Sequence, residues 1–130
     1  MSVSCLDRVN SAELERQRAL TQALWSRLEE QGLKDGTPGH IECCFLAPSD
    51  AEVARLTPGF PDWECTVAEN DHPKWSRLVR IASPQVHLTR DAFMHLLEVS
   101  MVAGADSACV FDGFQVDTTA LKKGKRWWPF

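Results

Sequence analysis

The string His40-x-x-Cys43-Cys44 offers the most evident chemistry in this 130-residue chain. A zinc site needs three or four ligands that converge on one point. Adjacent residues on a strand face opposite sides of the sheet, so the two thiols would point apart, and no second pair follows them. The pattern favours one thiol packed in the core as a small hydrophobe and the other on the opposite face. We therefore expect no metal site and no cofactor.

A cysteine nucleophile with a histidine base is the other catalytic arrangement to weigh, using Cys65 with His72 or His87. Such a thiol needs a helix N-terminus or a cationic neighbour to lower its pKa, and a strand provides neither. His95 falls in a helix, where it flanks the apolar face. The chain also lacks a glycine-rich phosphate loop, a serine nucleophile elbow and a His-Glu-x-x-His motif. These absences predict a protein that is not an enzyme.

The first element that must position any site is an amphipathic helix. Asn10 is placed to cap it, with Glu13 three residues on in the capping-box spacing. Leu20, Leu24 and Leu28 recur every four residues and predict its apolar face, with Ala19, Ala23 and Trp25 beside them. Gly32 marks its end, and the turn-forming residues 34–39 predict a connector.

The remaining pattern predicts strands and helices in the order strand, helix, strand, strand, helix, strand. The predicted elements are a strand over 40–46, a helix opened by Ser49, a hairpin of strands 63–69 and 75–82, a helix from Thr89 to Gly104, and a strand over 107–111 before an Asp112-Gly113 turn. This order is that of the split βαβ, or ferredoxin-like, arrangement, an α+β fold with a four-stranded antiparallel sheet. We expect one compact unit: an N-terminal helix and connector over 1–39, the ferredoxin-like domain over 40–117, and a tail over 118–130.

The formal net charge of −4 conceals two oppositely charged parts. Lys122, Lys123, Lys125 and Arg126 lie in the last nine residues, which contain no acid, so residues 1–121 carry 10 basic and 18 acidic groups, a net of −8. An acidic body disfavours binding to nucleic-acid phosphates, which requires clustered Lys and Arg. The predicted strand over 75–82 also lacks the glycines and the aromatic pair of an RNA-recognition module. We therefore expect a protein partner with a basic surface and no direct contact with nucleic acid.

Two groups of residues are candidates for binding such a partner. Asp62, Glu64, Glu69 and Asp71 surround the second predicted strand, either as an acidic patch or as an ordinary solvated face. Trp127 and Trp128 stand beside the four cations of the tail, and tryptophan with arginine is typical of interface hot spots. The tail would anchor in a partner, insert at an anionic membrane surface, or fold back on the acidic body.

The compartment follows from hydropathy and cysteine use. No run approaches the ~20 apolar residues that a membrane-spanning helix requires, and the first ten residues lack the features of a secretory signal. Five cysteines, an odd number, indicate free thiols in a reducing cytoplasm. A monomer and a homodimer swapped through the connector at Gly36–Gly39 are both consistent with the sequence.

Over residues 13–114 the chain resembles the bacterial RraB family, the regulators of ribonuclease E activity. The resemblance lies in the charged first helix from Glu13 to Gly32, in the strand Ile41–Leu46 leading into Ser49-Asp50-Ala51-Glu52, and in the ending Phe111-Asp112-Gly113-Phe114. It implies a ferredoxin-like domain without catalytic residues that inhibits a ribonuclease by binding it, with Asp112 and Phe114 as further binding candidates. In place of the long acidic tail of well-known members, this chain has a basic Trp-Trp-Pro-Phe ending.

Two alternatives to a ribonuclease inhibitor stay open. Domains of this type also resemble some immunity proteins, which neutralise a toxin from competing bacteria, and a small acidic domain suits that role equally. In either role the mechanism is occlusion of a basic site, with charge speeding the encounter. A small ligand-sensing or thiol-dependent domain is the second alternative, because one fold hosts many functions.

Overall fold

The structure, a computed structural model, describes residues 9–116. These residues form a mixed α+β fold with three α-helices and two antiparallel sheets. The helices are α1 (Ser11–Glu30), α2 (Asp50–Leu56) and α3 (Arg90–Ser107), with a 3₁₀ turn over Thr57–Gly59. The strands are β1 (Thr37–Gly39), β2 (Ile41–Ala47), β3 (Glu64–Glu69), β4 (Arg77–Ala82), β5 (Val86–Leu88) and β6 (Val110–Val116).

The larger sheet has the strand order β3-β4-β2-β6, and every neighbouring pair in it is antiparallel. The hairpin predicted from the alternating patterns is therefore confirmed as β3 and β4. The second sheet contains only β1 and β5. Its strand β1 lies in the segment expected to be a connector, and Gly39 passes so close to Leu88 that an added Cβ would lie 2.7 Å from its Cδ1.

Side-chain caps begin the three helices as the sequence predicts. The Asn10 side chain accepts a hydrogen bond from the Glu13 N–H at 2.9 Å, and the Thr89 hydroxyl accepts one from the Ala92 N–H at 3.0 Å. Ser49 accepts from the Ala51 N–H at 3.3 Å. Each bond satisfies a first-turn donor that has no partner within its own helix.

The core lies between the three helices and one face of the larger sheet. Alternate residues of β2 point into it: Ile41, Cys43, Phe45 and Ala47 are at most 2% exposed. Phe45 packs edge-on against two other rings, with centroid distances of 5.4 Å to Phe111 and 5.8 Å to Phe60. Because all three helices contribute to this one layer, none of the described helices covers the opposite face of the sheet. We call that face the outer face.

The predicted apolar face of α1 is wrong in part. Leu20 is 50% exposed and Leu24 only half-buried, whereas the buried positions are Leu14, Gln17, Thr21, Trp25 and Leu28. A strict four-residue spacing drifts around a helix that has 3.6 residues per turn, while the alternating spacing of three and four stays on one side. The buried stripe therefore includes two polar residues, Gln17 and Thr21, which a pattern of leucines does not indicate.

The predictions for the last helix and strand also need correction. Helix α3 does not end at Gly104 but continues to Ser107, followed by Ala108 in the left-handed conformation with φ 62°. Gly104 is instead a packing position, because a Cβ there would lie 3.0 Å from the Cys109 carbonyl oxygen. Asp112 and Gly113 do not form a turn. They lie within β6 at a bulge, where the pairing changes from Phe45↔Phe111 to Cys44↔Gly113.

Candidate protein-binding surface

Strand β3 forms one edge of the larger sheet and is the most accessible strand in the described chain. All six of its residues are exposed, including Val67 at 41%. It pairs with β4 on one side, and no strand among residues 9–116 pairs with it on the other. A bare edge presents backbone N–H and C=O groups that can pair with a further extended segment.

The four acidic candidates around β3 divide into two groups. Asp62 and Glu64 lie at its start, where they line a cavity of about 400 Å³ together with His40, Ala82, Ser83 and Pro84. Glu69 ends the strand and Asp71 lies in the turn beyond it. Glu64 and Glu69 are five residues apart, or about 17 Å, and their odd separation places them on opposite faces of the strand. The structure therefore brings Asp62 and Glu64 together and separates them from Glu69 and Asp71.

The turn that joins β3 to β4 is held by side chains. The Asn70 amide donates to the Trp75 carbonyl at 2.7 Å, and His72 Nδ1 accepts from the N–H groups of Lys74 and Trp75 at 3.0 and 3.1 Å. The Lys74 ammonium stands 4.9 Å from the centroid of the Trp75 ring. This bonding fixes the position of Asp71 at the far end of the edge.

A row of paired residues crosses the outer face and aligns Glu64 with two polar residues that are not candidates from the sequence, Glu42 and Gln115. Glu64 pairs with Ala82, Ala82 with Glu42, and Glu42 with Gln115, so the row runs through all four strands. The Arg80 guanidinium neighbours Glu42, at a Nε–Oε1 distance of 3.9 Å. Alternation in the sequence indicates which residues of one strand share a face. It does not indicate which residues of neighbouring strands lie side by side, because the register of pairing decides that.

The candidates on β6 have different environments. Phe114 is half-buried, with ring centroids 4.9 Å from Phe111 and 5.6 Å from Phe93, so it belongs largely to the core. Asp112 is exposed at the bulge. Both line a groove of about 200 Å³ between α1 and β6, next to the exposed Leu20. Trp127 and Trp128 lie outside the described residues.

The four described cysteines are free thiols with raised pKa values. Burial raises the pKa of Cys43 to about 12 and that of Cys44 to about 11. Burial also raises the pKa of Cys65 and of Cys109. A nucleophilic cysteine requires the opposite shift, because the thiolate is the reactive form.

The histidines considered as bases for Cys65 are bonded elsewhere. His72 accepts from the backbone of its own turn, and His87 on β5 makes a bond of 3.0 Å between its Nδ1 and the Gly36 carbonyl oxygen. His40 lies 3.0 Å from the Ser83 carbonyl oxygen. Across residues 9–116, no three His, Cys, Asp or Glu side chains converge in a way that would hold a metal ion.

Comparison with known proteins adds no relative: the chain matches no protein-family model, and no curated protein matches it. Within the part of the chain that the structure describes, no helix combines the length and the apolar character that crossing a bilayer requires. The bare β3 edge, the acidic residues at its two ends and the outer face are accessible features of the described sheet.

Proposed function

We propose that this protein is a non-enzymatic inhibitor that binds a bacterial ribonuclease in the cytoplasm and occludes a basic site on it. The observation that carries the proposal is the β3 edge, a fully exposed strand with two acidic residues at each end. An extended segment of the partner would add to β3 through backbone hydrogen bonds, and the acids would favour a segment rich in Lys and Arg.

The electrostatic part of the mechanism follows from the target. A ribonuclease must attract the phosphates of RNA, so its substrate channel is basic. A chain of net charge −4, whose residues 1–121 carry −8, approaches such a channel faster than a neutral one would, and faster still at low ionic strength. Occupation of the channel needs no catalytic group on the inhibitor, in keeping with the raised thiol pKa values.

The resemblance to the RraB family supports the choice of a ribonuclease as partner. We also propose that residues 40–117 adopt the split βαβ arrangement of that family. The strand order β3-β4-β2-β6 supports it, because β2 and β4 are central and α2 and α3 connect non-neighbouring strands. The basic ending of this chain, where well-known members are acidic, favours a target that differs from ribonuclease E itself.

The test is inhibition of purified ribonucleases of the ribonuclease E type, preceded by capture of partners from a bacterial lysate. The unmodified protein should inhibit RNA cleavage, and the variant Glu64→Lys/Glu69→Lys should inhibit it far less. Glu29→Lys/Glu30→Lys is the matched control, since it makes the same charge change at exposed positions of α1. We expect the control to inhibit like the unmodified protein.

Two results would contradict the proposal. One is a set of captured partners that contains no ribonuclease, and a captured toxin would favour the immunity alternative. The other is equal loss of inhibition in the two double variants, which would show a response to overall charge instead of the β3 edge.

A further inference from the structure

The groove of about 200 Å³ between α1 and β6 lies at the edge of the larger sheet opposite to β3. Its walls are apolar and are formed by Leu20 and Leu24 of α1 and by Phe114 of β6. Two polar side chains of α1, Gln17 and Thr21, also line it, and each is only 3% exposed. Apolar walls with a few well-placed polar groups are typical of ligand sites. The groove therefore has the composition of a small binding site.

The two buried polar side chains of this lining have unused hydrogen-bonding capacity. The Gln17 amide nitrogen donates to the Glu13 carboxylate at 3.2 Å, but its Oε1 accepts no hydrogen bond from residues 9–116. The Thr21 hydroxyl makes no hydrogen bond to any group in the same range. Buried polar groups are costly without a partner, so those in folded proteins usually meet a water or a ligand. Gln17 and Thr21 are one helical turn apart on the same face, which lets a single donor in the groove reach both oxygens.

Opposite charges lie at the two ends of the groove. Asp112 is near the N-terminal half of α1, since its charge, after that of Glu13, raises the pKa of the Arg16 guanidinium. Arg27 lies in the last turn of α1. Neither Asp112 nor Arg27 forms an ion pair within residues 9–116, whereas Arg16 is bound to Glu13 through two bonds of 3.0 and 2.6 Å. A ligand along the groove thus meets a carboxylate at one end and a guanidinium at the other.

The other charged groups nearby do not change this arrangement. The Arg80 guanidinium is on β4, two strands away from β6, and lies 3.9 Å from Glu42. Neither of those residues lines the groove. Glu30, one turn beyond Arg27, is exposed and is likewise outside the lining. Asp112 and Arg27 are therefore the charged residues that a bound molecule would contact.

The spacing along α1 sets the length of a molecule that meets both charges. Six residues separate Thr21 from Arg27, a rise of about 9 Å. Helix side chains lean toward the N-terminus, which brings the Arg27 guanidinium closer to Thr21. An ammonium and a carboxylate six bonds apart span about 7–8 Å when extended, the length of two Cα–Cα spacings. The groove is also smaller than the ~300–1,000 Å³ of sites for drug-sized ligands. Both measures indicate a short ligand.

We propose that this groove binds a small ω-amino carboxylate, a molecule with a primary ammonium and a carboxylate at opposite ends of an apolar chain of about five carbons. The ammonium has three donors, which match three acceptors: the Asp112 carboxylate, Gln17 Oε1 and Thr21 Oγ1. The apolar chain packs against the leucines and the aromatic ring of the walls. The carboxylate accepts charge-assisted hydrogen bonds from the Arg27 guanidinium.

Other occupants match the groove less well. A fatty acid would pair with Arg27 but would leave the buried oxygens of Gln17 and Thr21 without a donor. A strand of another protein is hindered by the bulge before Gly113, which interrupts the pairing of β6. The inference does not rest on the proposed function, because the groove and β3 are at opposite edges of the sheet.

Titration of the isotopically labelled full chain with 6-aminohexanoate, followed by NMR, tests the proposal. Saturable shift changes should appear at the amides of α1 and β6 that line the groove. 4-Aminobutanoate is shorter by two CH₂ groups and should bind about tenfold more weakly. Hexylamine and hexanoate each lack one charged end. Each should bind more weakly than 6-aminohexanoate, by up to about fivefold, because one exposed ion pair is removed.

Variants of the lining test which residues make the contact. Arg27→Gln/Asp112→Asn should lose most of the affinity for 6-aminohexanoate. Lys34→Gln/Asp35→Asn is the matched control, since it removes the same two charges at exposed positions outside the groove, and it should bind like the unmodified protein. Thr21→Val has nearly the same shape and should weaken binding. Its free energy of unfolding should be unchanged or higher, because the hydroxyl that it removes has no partner in the fold.

Any of four results would overturn the proposal. One is the absence of saturable shift changes with 6-aminohexanoate. Another is binding of hexylamine or hexanoate as tight as that of 6-aminohexanoate, which would assign the contact to one charge alone. The third is an equal loss of affinity in the two double variants, and the fourth is unchanged affinity in Thr21→Val.

Discussion

Thiol reactivity follows directly from the positions of the cysteines on the sheet. The thiolate population falls tenfold for each pH unit by which the pKa rises. Near pH 8, the thiolate of Cys43, with a pKa of about 12, is therefore about 1000-fold scarcer than that of an ordinary thiol of pKa 9.0. The corresponding factor for Cys44, with a pKa of about 11, is about 100-fold. Burial at 0% and 7% exposure slows both further by excluding the reagent.

Cys65 provides the internal reference, because it is exposed on β3. Among Cys43, Cys44 and Cys65, we expect iodoacetamide to modify the exposed Cys65 first, Cys44 more slowly and Cys43 more slowly again, because burial raises the pKa of Cys44 to about 11 and that of Cys43 to about 12. Mass spectrometry of tryptic peptides measures each rate, with fragment ions assigning the adjacent pair. In denaturant the three rates should converge, which controls for the local sequence.

The labelling rates also test whether the protein has a thiol-dependent function. Modification of Cys43 or Cys44 within about tenfold of the rate of Cys65 would mean that a thiolate is stabilised in the folded protein. That result would refute the assignment of both as structural thiols and revive the alternative of a thiol-dependent domain.

Three further predictions concern stability and are measured by urea unfolding. The raised pKa of Cys43 stabilises the fold fully below the ordinary value of 9.0, and this contribution is lost as the pH rises toward 12. Stability should therefore fall between about pH 9 and pH 12, and Cys43→Ser should make that decline shallower without abolishing it, because burial also raises the pKa of Cys44; an equal decline in the variant would contradict the cause. Phe45→Ala should lower the free energy of unfolding by about 3–5 kcal/mol because it removes the ring at the centre of the core. Leu20→Ala, at a half-exposed position, should change it by less than about 0.5 kcal/mol. Comparable losses in the two variants would contradict this position of the core. Gly113→Ala should lower the free energy of unfolding by about 1–3 kcal/mol, because the φ of +113° strains any residue with a side chain. Gly59→Ala is the control and should be nearly neutral, since its added Cβ would meet only Ala103, at 3.6 Å. A neutral Gly113→Ala would contradict the backbone conformation at the bulge.

The parts of the fold that the sequence predicts are those that local chemistry decides. Asn10, Ser49 and Thr89 begin helices because each side chain bonds to a backbone N–H two or three residues away. The alternation that predicts the β3–β4 hairpin is equally local. A cap or an alternating run requires no knowledge of distant residues, so these predictions hold to within one or two residues.

The parts of the fold that differ from the sequence predictions depend on contacts between segments that are distant in the chain. Gly104 has the residue type of a helix end, but it lies within α3 because Cys109 passes too close for a side chain there. The Asp112-Gly113 pair has the composition of a turn, and only its pairing with β2 makes it a bulge. The row of paired residues on the outer face likewise joins Glu42 to Ala82 and Gln115, residues 40 and 73 positions along the chain, so register alone creates it.

The two edge strands of the larger sheet, β3 and β6, differ in how easily a further strand can pair with them. The β6 edge carries a bulge and lies beside α1, both of which hinder the addition of another strand. The β3 edge has neither feature, only acidic residues at its two ends. If two copies paired antiparallel along β3, they would bring eight carboxylates to one interface, which disfavours self-association. A basic segment meets no such repulsion, so the same acids that keep copies of the protein apart select for a cationic partner strand.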